Sequence, residues 1–299
     1  MAALRRFVEW FGQAGTARTH RSTWTRRIWA VAFLPAVGAA FLRRRWLKGV
    51  TVVAVTGSRG KTTTRELLSS VLYRRARNSS TIDNRNGRFG IVQTLFAIER
   101  SHEFAVVEVG VDAPGQGWRA ATLVKPNAAL VTCIGDEHSE NFPSLDAVAR
   151  EKGQLVEALP AGGVAVLNLD DPRVAAMRSR TTARVVTYGV SPAADLRAVE
   201  VSGDWPDRLA FTVRWKGRSH QVQTRLVGRH WLPAVLAALA GGVSLGVSLE
   251  DAAQATSEVE PFPARMEPIV LPSGAVLLRD EYNGSVGTLR PALALSLIH

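Results

Sequence analysis

The residues best suited to chemistry lie in a short glycine loop that follows an apolar run. Residues 50–65 read VTVVAVTGSRGKTTTR, so a β-branched segment leads into a turn and a helix that starts at Lys61. In a strand–loop–helix of this kind, backbone N–H groups at the helix N-terminus point at a phosphate and the lysine reaches the β- and γ-phosphates. The hydroxyl after the lysine can ligate Mg²⁺. The stretch therefore predicts a nucleotide-binding loop formed by Gly57, Ser58, Arg59, Gly60, Lys61, Thr62 and Thr63.

This loop is a shortened form of the phosphate-binding pattern. The full pattern has a glycine five residues before Gly60, where this chain has Val55, so that G-x-x-G-K-T remains. The alternative is a glycine-rich turn between a strand and a helix, with Lys61 as an ordinary surface lysine. The preceding apolar strand and the three threonines after Lys61 favour the nucleotide interpretation.

Polar residues near the ends of later apolar runs are the next candidates. Glu108 closes one such run, and a carboxylate there is costly unless it is paired or bound to a metal. His138 follows the next run and is expected to bind a cation, whereas the acidic residues beside it are expected to be solvated. Lys152 lies on the following helix, where a solvated lysine is the default expectation.

Strands and helices are expected to alternate from residue 50 onward. Apolar runs predict parallel strands over 50–55, 104–109, 128–134, 164–167 and 184–190. Helical patterns lie between them, notably over 145–159. This alternation predicts an α/β fold with a doubly wound, mostly parallel sheet, in which ligands bind at the carboxyl ends of the strands.

The pattern changes in the last third of the chain. Period-two alternation over 196–227 predicts a small antiparallel appendage. Two helices are expected near 230–245 and 249–259, and a further strand pair over 267–270 and 275–279.

The first 50 residues differ in composition from the rest. They hold ten Lys/Arg and one acid, a net +9 of the chain's +11, and four of its eight tryptophans. Residues 28–42 are fifteen apolar residues interrupted by Pro35, which is short of the about 20 that a spanning helix needs. Such a run between arginines suits a helix or hairpin at an anionic membrane face. A helix packed on the following domain, with solvated arginines, is the alternative, and specific nucleic-acid binding is not favoured because no known module accompanies the charge.

The remaining composition describes a globular protein. With 299 residues the chain has room for about two domains, and 46% of the residues are hydrophobic and 21% charged. Cys133 is the single cysteine, so a disulfide framework or a cysteine-based metal site is excluded. That usage fits a reducing compartment such as the cytoplasm.

Taken together, these motifs resemble those of the Mur ligase family, and within it the MurF type, which adds D-alanyl-D-alanine to a UDP-muramoyl tripeptide. The family loop T-G-[ST]-x-G-K-[ST]-[ST] matches residues 56–63, and N-x-N-N-x-x-G is matched at Asn84, Asn86 and Gly90. Further matches follow in order: E-x-G at 108–110, P-x-x-A-L-V through A-x-x-K-G over 126–155, N-x-D-[DN] at 168–171, G-x-H at 228–230, R-[ML]-E at 265–267 and D-x-Y-N at 280–283.

The resemblance implies ATP-dependent amide formation in peptidoglycan or related polymer biosynthesis, with ATP and Mg²⁺ as cofactors. The substrates would be a carboxylate acceptor and an amino acid or dipeptide amine. Thr62 and Glu108 would hold a first Mg²⁺, and His138 a second together with a carbamylated Lys152. By the same resemblance, the catalytic residues would be Lys61, His138 and Lys152, with further nucleotide contacts from Asn84, Arg265 and Asp280.

The resemblance also divides the chain. Residues 49–274 would be the central ATP-binding domain, and residues 275–299 the start of an incomplete C-terminal ligase domain. Residues 1–48, a basic and tryptophan-rich arm, stand where MurF enzymes carry a domain for the UDP-sugar. Capsular poly-γ-glutamate synthetases also have a hydrophobic N-terminus and an R-G-K-[ST] loop. There are therefore three alternatives to a cytoplasmic MurF-like ligase. They are a membrane-associated ligase of that kind, an ATP-binding relative without catalytic activity, and a membrane-associated assembly subunit whose ligase body serves as a scaffold.

Overall fold

A nine-stranded sheet organises the described part of the chain, which comprises residues 23–82, 85–135, 141–281 and 293 of a computed structural model. The strand order is β2-β3-β1-β4-β5-β6-β7-β8-β9. The strands are β1 (Thr51–Thr56), β2 (Asn78–Ser80), β3 (Phe104–Glu108), β4 (Ala128–Val131), β5 (Val164–Asn168), β6 (Arg184–Gly189), β7 (Leu196–Ser202), β8 (Arg208–Trp215) and β9 (Arg218–Val227). From β2 to β7 all neighbouring strands are parallel, as the apolar runs predict.

Helices cover both faces of this sheet. They are α1 (Thr23–Trp46), α2 (Lys61–Tyr73), α3 (Arg88–Ala97), α4 (Gln116–Val124), α5 (Leu145–Glu157), α6 (Pro172–Ala175), α7 (Leu232–Ser244) and α8 (Leu249–Glu258). One buried cluster joins the sheet to α1, α3, α4 and α5, and another joins it to α2, α7 and α8. This arrangement confirms the doubly wound α/β fold expected from the sequence.

Strand β1 lies at the centre of the parallel part. Its residues Val52 to Val55 are fully buried at 0% exposure, which explains the unbroken apolar run. It pairs with β3 on one side and β4 on the other, so that Val55 stands beside both Glu108 and Leu130. The chain leaves β1 toward β3 and later crosses back to β4, which opens a crevice at the carboxyl ends of these strands. The glycine loop follows β1 at this edge.

The antiparallel segment is confirmed, and it continues the main sheet. Strand β7 pairs in parallel with β6 at two positions, Tyr188 with Leu196 and Gly189 with Arg197. Strands β8 and β9 then add in antiparallel fashion. The expected appendage is therefore an extension of the same sheet.

Helix α1, from the basic arm, packs on the sheet domain. Phe33, Ala36, Ala40 and Leu47 are buried at 4% exposure or less, and their spacing of three, four and seven residues defines one helix face. The ring of Phe33 stacks on Phe89 of α3 with centroids 4.0 Å apart. Of the two alternatives for the arm, the packed helix therefore describes residues 33–47.

Two consecutive arginines tie α1 to the ends of two other helices. Arg43 donates from Nε to the carbonyl of Leu95 at 3.1 Å and from Nη2 to that of Ile98 at 2.5 Å, at the C-terminus of α3. Arg44 donates to the carbonyls of Val124 at 2.7 Å and Lys125 at 2.6 Å, at the C-terminus of α4. Orphan carbonyls and the helix dipole make such termini favourable sites for cations. The expectation that these arginines are solvated is therefore wrong.

Arg44 is buried, and burial disfavours its positive charge. Only 6% of the residue is exposed, and desolvation, reinforced by the charge of Arg45, lowers the pKa of the Arg44 guanidinium. Its Nη2 also donates to Oδ1 of Asn127 at 2.9 Å, and the same oxygen accepts from the N–H of Val52 at 2.9 Å. Arg44 thus connects α1 to the entry of the central strand.

Within the described ranges, no helix combines the length and apolar character needed to cross a bilayer.

A hairpin of β10 (Glu267–Val270) and β11 (Val276–Arg279) ends the described chain, and it confirms the strand pair expected there. Met266, just before the hairpin, is 1% exposed and packs against Val227 and Trp231. The domain boundary proposed between residues 274 and 275 falls in the turn of this hairpin, and the division of the chain stays a prediction.

Candidate functional site

The glycine loop after β1 adopts a conformation that requires glycine at two positions. Gly57 has φ 140°, and a Cβ there would lie 1.9 Å from Oγ1 of Thr132. Gly60 has φ 78° and stands immediately before α2 as its N-cap. Both backbone conformations are unfavourable for residues with a side chain. The backbone conformation of the loop therefore requires the two glycines of the sequence motif, Gly57 and Gly60.

Hydrogen bonds fix the loop to the segment that follows β4. The N–H of Ser58 donates to the carbonyl of Cys133 at 2.8 Å, and the N–H of Gly135 donates to Oγ of Ser58 at 2.9 Å. Oγ1 of Thr132 donates to the carbonyl of Arg59 at 2.5 Å. Ser58 is 1% exposed, so its hydroxyl holds the loop in place. The guanidinium of Arg59 lies alongside Gly135, where a Cβ would be 3.0 Å from Nη2.

Lys61 and Thr62 open α2 directly behind the loop. Nζ of Lys61 donates to the carbonyl of Ser58 at 2.6 Å, which keeps the ammonium over the loop. Oγ1 of Thr62 donates to Oε1 of Glu108 at 3.1 Å. The hydroxyl of Thr63 is buried, and no hydrogen-bond partner for it exists among the described residues. The first turn of α2 thus presents an amine, a hydroxyl and backbone N–H groups at one edge of the sheet.

Glu108 ends β3 and is 0% exposed. Its Oε1 accepts from Nδ2 of Asn86 at 2.7 Å as well as from Thr62, and its Oε2 lies 3.4 Å from Nε of Arg65. Its N–H donates to Oγ1 of Thr81 at 2.9 Å. The buried Glu108 carboxylate is therefore paired with Arg65, which is one of the two outcomes expected from its place at the end of an apolar run.

Sequence reasoning did not single out Arg65 or Asn86 for this network. Arg65 is three residues after Thr62 on α2, which places both on one helix face toward β3. Asn86 belongs to the asparagine motif, whose last glycine, Gly90, has room for no Cβ because the carbonyl oxygen of Arg85 would be 1.6 Å away. The spacing of Arg65 from Thr62 and the asparagine motif that contains Asn86 are the sequence signals that could have identified these two residues.

Thr62 and Glu108 fit a divalent cation. A hydroxyl and a carboxylate oxygen 3.1 Å apart are hard oxygen donors at the start of a phosphate-loop helix, the donor chemistry that Mg²⁺ prefers. Asn84 and His138, predicted to contact nucleotide and metal, lie outside the described residues. Within the described residues no three His, Cys, Asp or Glu side chains converge as a metal cluster.

Lys152 lies inside the molecule, which contradicts the default expectation of a solvated lysine. It is 2% exposed on α5, and its Nζ donates to the carbonyl of Val111 at 3.1 Å, three residues beyond Glu108. An ammonium has no lone pair for a metal, so the lysine fits the proposed second metal site only in a modified form. Lys152 is buried near the strand end that carries Glu108, and its carbamylation stays a prediction.

The start of α7 forms another wall of the site. A Cβ at Gly60 would lie 3.9 Å from that of Ala234 on α7, so this helix stands beside the loop. His230 precedes it, and desolvation by burial lowers the pKa of its imidazole to about 4. The His230 ring lies 4.7 Å from that of Trp231.

Arg265 and Asp280 belong to the segment around the terminal hairpin. Oδ1 of Asp280 accepts from the N–H of Met266 at 3.2 Å. Burial raises the pKa of the Asp280 carboxyl, and this hydrogen bond and the charge of Arg265 oppose the rise. The structure brings Arg265 and Asp280 close to each other, and their predicted contact with phosphate and ribose stays a prediction.

The doubly wound sheet, the glycine loop and the Lys-Thr start of α2 define a phosphate-loop α/β domain. A family model described as the Mur ligase middle domain matches residues 55–242. The chain belongs to the Mur ligase family, as its motifs predict.

Curated relatives and solved structures agree with this assignment. The chain is 31% identical to the UDP-N-acetylmuramoyl-tripeptide–D-alanyl-D-alanine ligase of Bacillus subtilis, over 83% of this chain and 53% of that protein. It is 32% identical to the ligase of the same name from Escherichia coli, over 81% of this chain and 54% of that protein. A crystal structure of MurF from Acinetobacter baumannii superposes with a TM-score of 0.83 and 27% identity, covering 89% of this chain and 58% of that one. The chain thus spans about half the length of the curated relatives it matches.

Proposed function

We propose that this chain carries the ATP-binding and carboxylate-activating site of an amide-forming ligase. The observation that supports this most directly is the first turn of α2, where Lys61 and Thr62 follow the glycine loop and Thr62 contacts the buried Glu108. A helix N-terminus with this side-chain set suits a nucleoside triphosphate and its cation. Family membership adds the reaction class, because the relatives are named as ligases.

The proposed reaction joins a carboxylate to an amine in two steps. An oxygen of the substrate carboxylate attacks the γ-phosphorus of ATP, the bond to the bridging oxygen breaks, and ADP leaves. The amine then attacks the carbonyl carbon of the acyl phosphate, loses a proton to solvent or a base, and displaces inorganic phosphate. Activation is needed because a free carboxylate is a poor electrophile at neutral pH.

The chain's own residues would bind and orient the reacting phosphates. The N–H groups of the loop and of the first turn of α2 would hold the β- and γ-phosphates, and Lys61 would leave the Ser58 carbonyl to reach them. Thr62 and Glu108 would hold Mg²⁺, which when bound supplies charge neutralisation on the phosphate oxygens. The hydrogen bonds of Ser58 and Thr132 hold the loop in this geometry.

The relatives suggest the substrate class. Their names specify a UDP-N-acetylmuramoyl-tripeptide and D-alanyl-D-alanine, which would make the acceptor a peptide carboxylate and the donor a dipeptide amine. By analogy we propose a substrate pair of this chemistry, in cell-wall or related polymer synthesis in the cytoplasm.

Replacing Lys61 by alanine tests the proposal. The rate of ATP-dependent phosphate release should fall by at least about 100-fold in this variant. A loss of that size is typical when one preorganised group that stabilises transition-state charge is removed. Lys48→Ala, which removes an exposed lysine ahead of β1, serves as the control and should keep full turnover. Circular dichroism and melting temperature should match in both proteins. Turnover retained by a folded Lys61→Ala protein would reject the phosphate-loop assignment.

We also propose a peripheral contact of residues 1–48 with an anionic membrane. The outer face of α1 supports this, because Leu34, Leu42 and Trp46 are 57%, 59% and 73% exposed on the side opposite its packed face. Exposed apolar residues beside lysine and arginine suit an interfacial helix, and each cation near such a surface contributes about 1 kcal/mol.

Vesicle co-sedimentation tests the membrane contact. Deletion of residues 1–48 is unsuitable, because it would remove the buried Phe33 and Leu47 from the core. The double variant Leu42→Ser/Trp46→Ser should instead weaken sedimentation with phosphatidylserine vesicles, while Tyr73→Ser, 68% exposed on α2, should not. Equal sedimentation of all three proteins would show that the outer face of α1 makes no membrane contact.

A further inference from the structure

The two oxygens of the Glu108 carboxylate have different surroundings. Oε1 faces Asn86 and Thr62, with donor distances of 2.7 and 3.1 Å, and is the oxygen on the side of the nucleotide loop. Oε2 faces away from Thr62 toward Nε of Arg65 at 3.4 Å. Because the whole residue is 0% exposed, these neighbours and not water decide how the carboxylate is oriented.

Arg65 is itself held on several sides. It is 1% exposed and is among the largest fully buried side chains of the described residues. Its Nη2 pairs with Oε1 of Glu66 at 2.7 Å, and its Nη1 donates to Oγ of Ser80 at 3.4 Å, on strand β2. The guanidinium is therefore fixed between α2 and the strands that carry Ser80 and Glu108.

A buried charge needs a partner of opposite sign. Removing one member of a buried ion pair leaves the other uncompensated, which is strongly unfavourable. Without Arg65, the Glu108 carboxylate would lose both its fixed orientation and the cation that balances it at Oε2. Groups behind a metal ligand are known to tune the affinity of the metal through orientation and charge.

We propose that Arg65 is a positioning residue, which holds Oε2 of Glu108 so that Oε1 is presented beside Thr62 to the nucleotide-bound Mg²⁺. This inference rests on the proposed ATP site. Arg65 lies behind Glu108 and acts through it, so its removal should affect the response to Mg²⁺ and leave the binding of metal-free nucleotide unchanged.

The test measures equilibrium binding of the non-hydrolysable analogue β,γ-imido-ATP over a Mg²⁺ titration that begins in EDTA. In Arg65→Met the Mg²⁺ concentration for half-maximal tightening should rise by about 10- to 100-fold, the usual effect of losing an outer-shell group. The affinity in EDTA should equal that of the unmodified protein. Arg74→Met makes the same chemical change at the C-terminal end of α2, where Arg74 pairs with Glu258 at the surface, and should have no effect.

Arg65→Lys keeps the positive charge and decides the question if Arg65→Met does not fold. A single ammonium cannot reach Glu108, Glu66 and Ser80 together as the guanidinium does, so a smaller rise in the Mg²⁺ requirement is expected. An unchanged Mg²⁺ requirement in a folded Arg65 variant would overturn the inference, as would an equal loss of affinity in EDTA. If the unmodified protein binds no nucleotide under any condition, the proposed function fails instead.

Discussion

Replacing Arg44 by methionine should destabilise the whole domain, although Arg44 lies outside the nucleotide site. Methionine keeps the buried stem and removes the guanidinium, which donates to the carbonyls of Val124 and Lys125 and to Asn127. Three carbonyl oxygens at the end of α4 and the entry of β4 would lose a charged donor. Since Arg44 is 6% exposed, water cannot replace the guanidinium without a rearrangement of α1.

The magnitude follows from two opposing effects. A hydrogen bond to a charged group contributes about 1.5–3 kcal/mol, and Arg44 makes three at 2.6 to 2.9 Å. Burying the guanidinium costs several kcal/mol, which the lowered pKa of Arg44 reflects. We therefore expect a net loss of about 3 kcal/mol in the free energy of unfolding, within the range seen for broken buried networks.

Urea denaturation followed by far-ultraviolet circular dichroism measures this loss directly. Arg45→Met is the matched control, because Arg45 is the next residue and its contacts are weaker. It stacks on Phe41, donates to the carbonyl of Phe41 at 3.1 Å within its own helix, and makes one long contact with the carbonyl of Thr122 at 3.5 Å. The loss of unfolding free energy in Arg45→Met should be about 1 kcal/mol or less, as for a cation–π pair near the surface. If Arg44→Met and Arg45→Met unfold at the same urea concentration, the hydrogen bonds of Arg44 to the carbonyls at the end of α4 do not stabilise the fold, and the prediction is refuted.

Three further predictions concern the site and its surroundings. Gly57→Ala would place a methyl group 1.9 Å from Oγ1 of Thr132 at φ 140°, and should cost at least about 2 kcal/mol of unfolding free energy and abolish binding of the ATP analogue, as calorimetry would show. Carbamylation of Lys152 should give a carbamate signal in ¹³C NMR of protein equilibrated with labelled bicarbonate. That signal should be missing from Lys152→Met, and its absence from the unmodified protein would leave the lysine as the ammonium that contacts Val111. Because burial lowers the folded-state pKa of His230 from 6.5 to about 4, the unfolded chain binds this proton first, so the unfolding free energy should fall by up to about 3 kcal/mol as the pH drops from 6.5 to 4. His230→Gln should lack this component, and identical pH profiles for the two proteins would contradict it.

The sequence predicts the parallel strands and the loop well because their signals are local. The apolar runs before Gly57 and Glu108 become β1 and β3 with shifts of a single residue at their ends. The glycine pattern is likewise dictated by φ angles within the loop. Strand β2 escaped prediction because Asn78–Ser80 is short and polar and joins only the edge of the sheet.

The polar interior was harder to predict. Arg65, Lys152 and Arg44 are long charged residues on helices, and composition alone favours a solvated position for each. Their burial depends on partners far away in the chain, since Arg44 meets carbonyls 80 and 81 residues later. Periodicity identifies which helix face a residue occupies, but it does not reveal that another helix ends there with unpaired carbonyls.

The direction of α1 has a consequence for anything attached ahead of it. Phe33 meets Phe89 at the beginning of α3, near Asn86 and the Glu108 strand end, while Arg43 meets the last turn of the same helix. Helices α1 and α3 therefore run in the same direction, and α1 continues for ten residues before Phe33, about 15 Å of helix. A fluorophore or affinity tag placed just before Thr23 would consequently start on the nucleotide side of the sheet. One placed at Trp46 would report from the opposite end of the strands, so the two labels could distinguish ligand arrival from events at the rear of the domain.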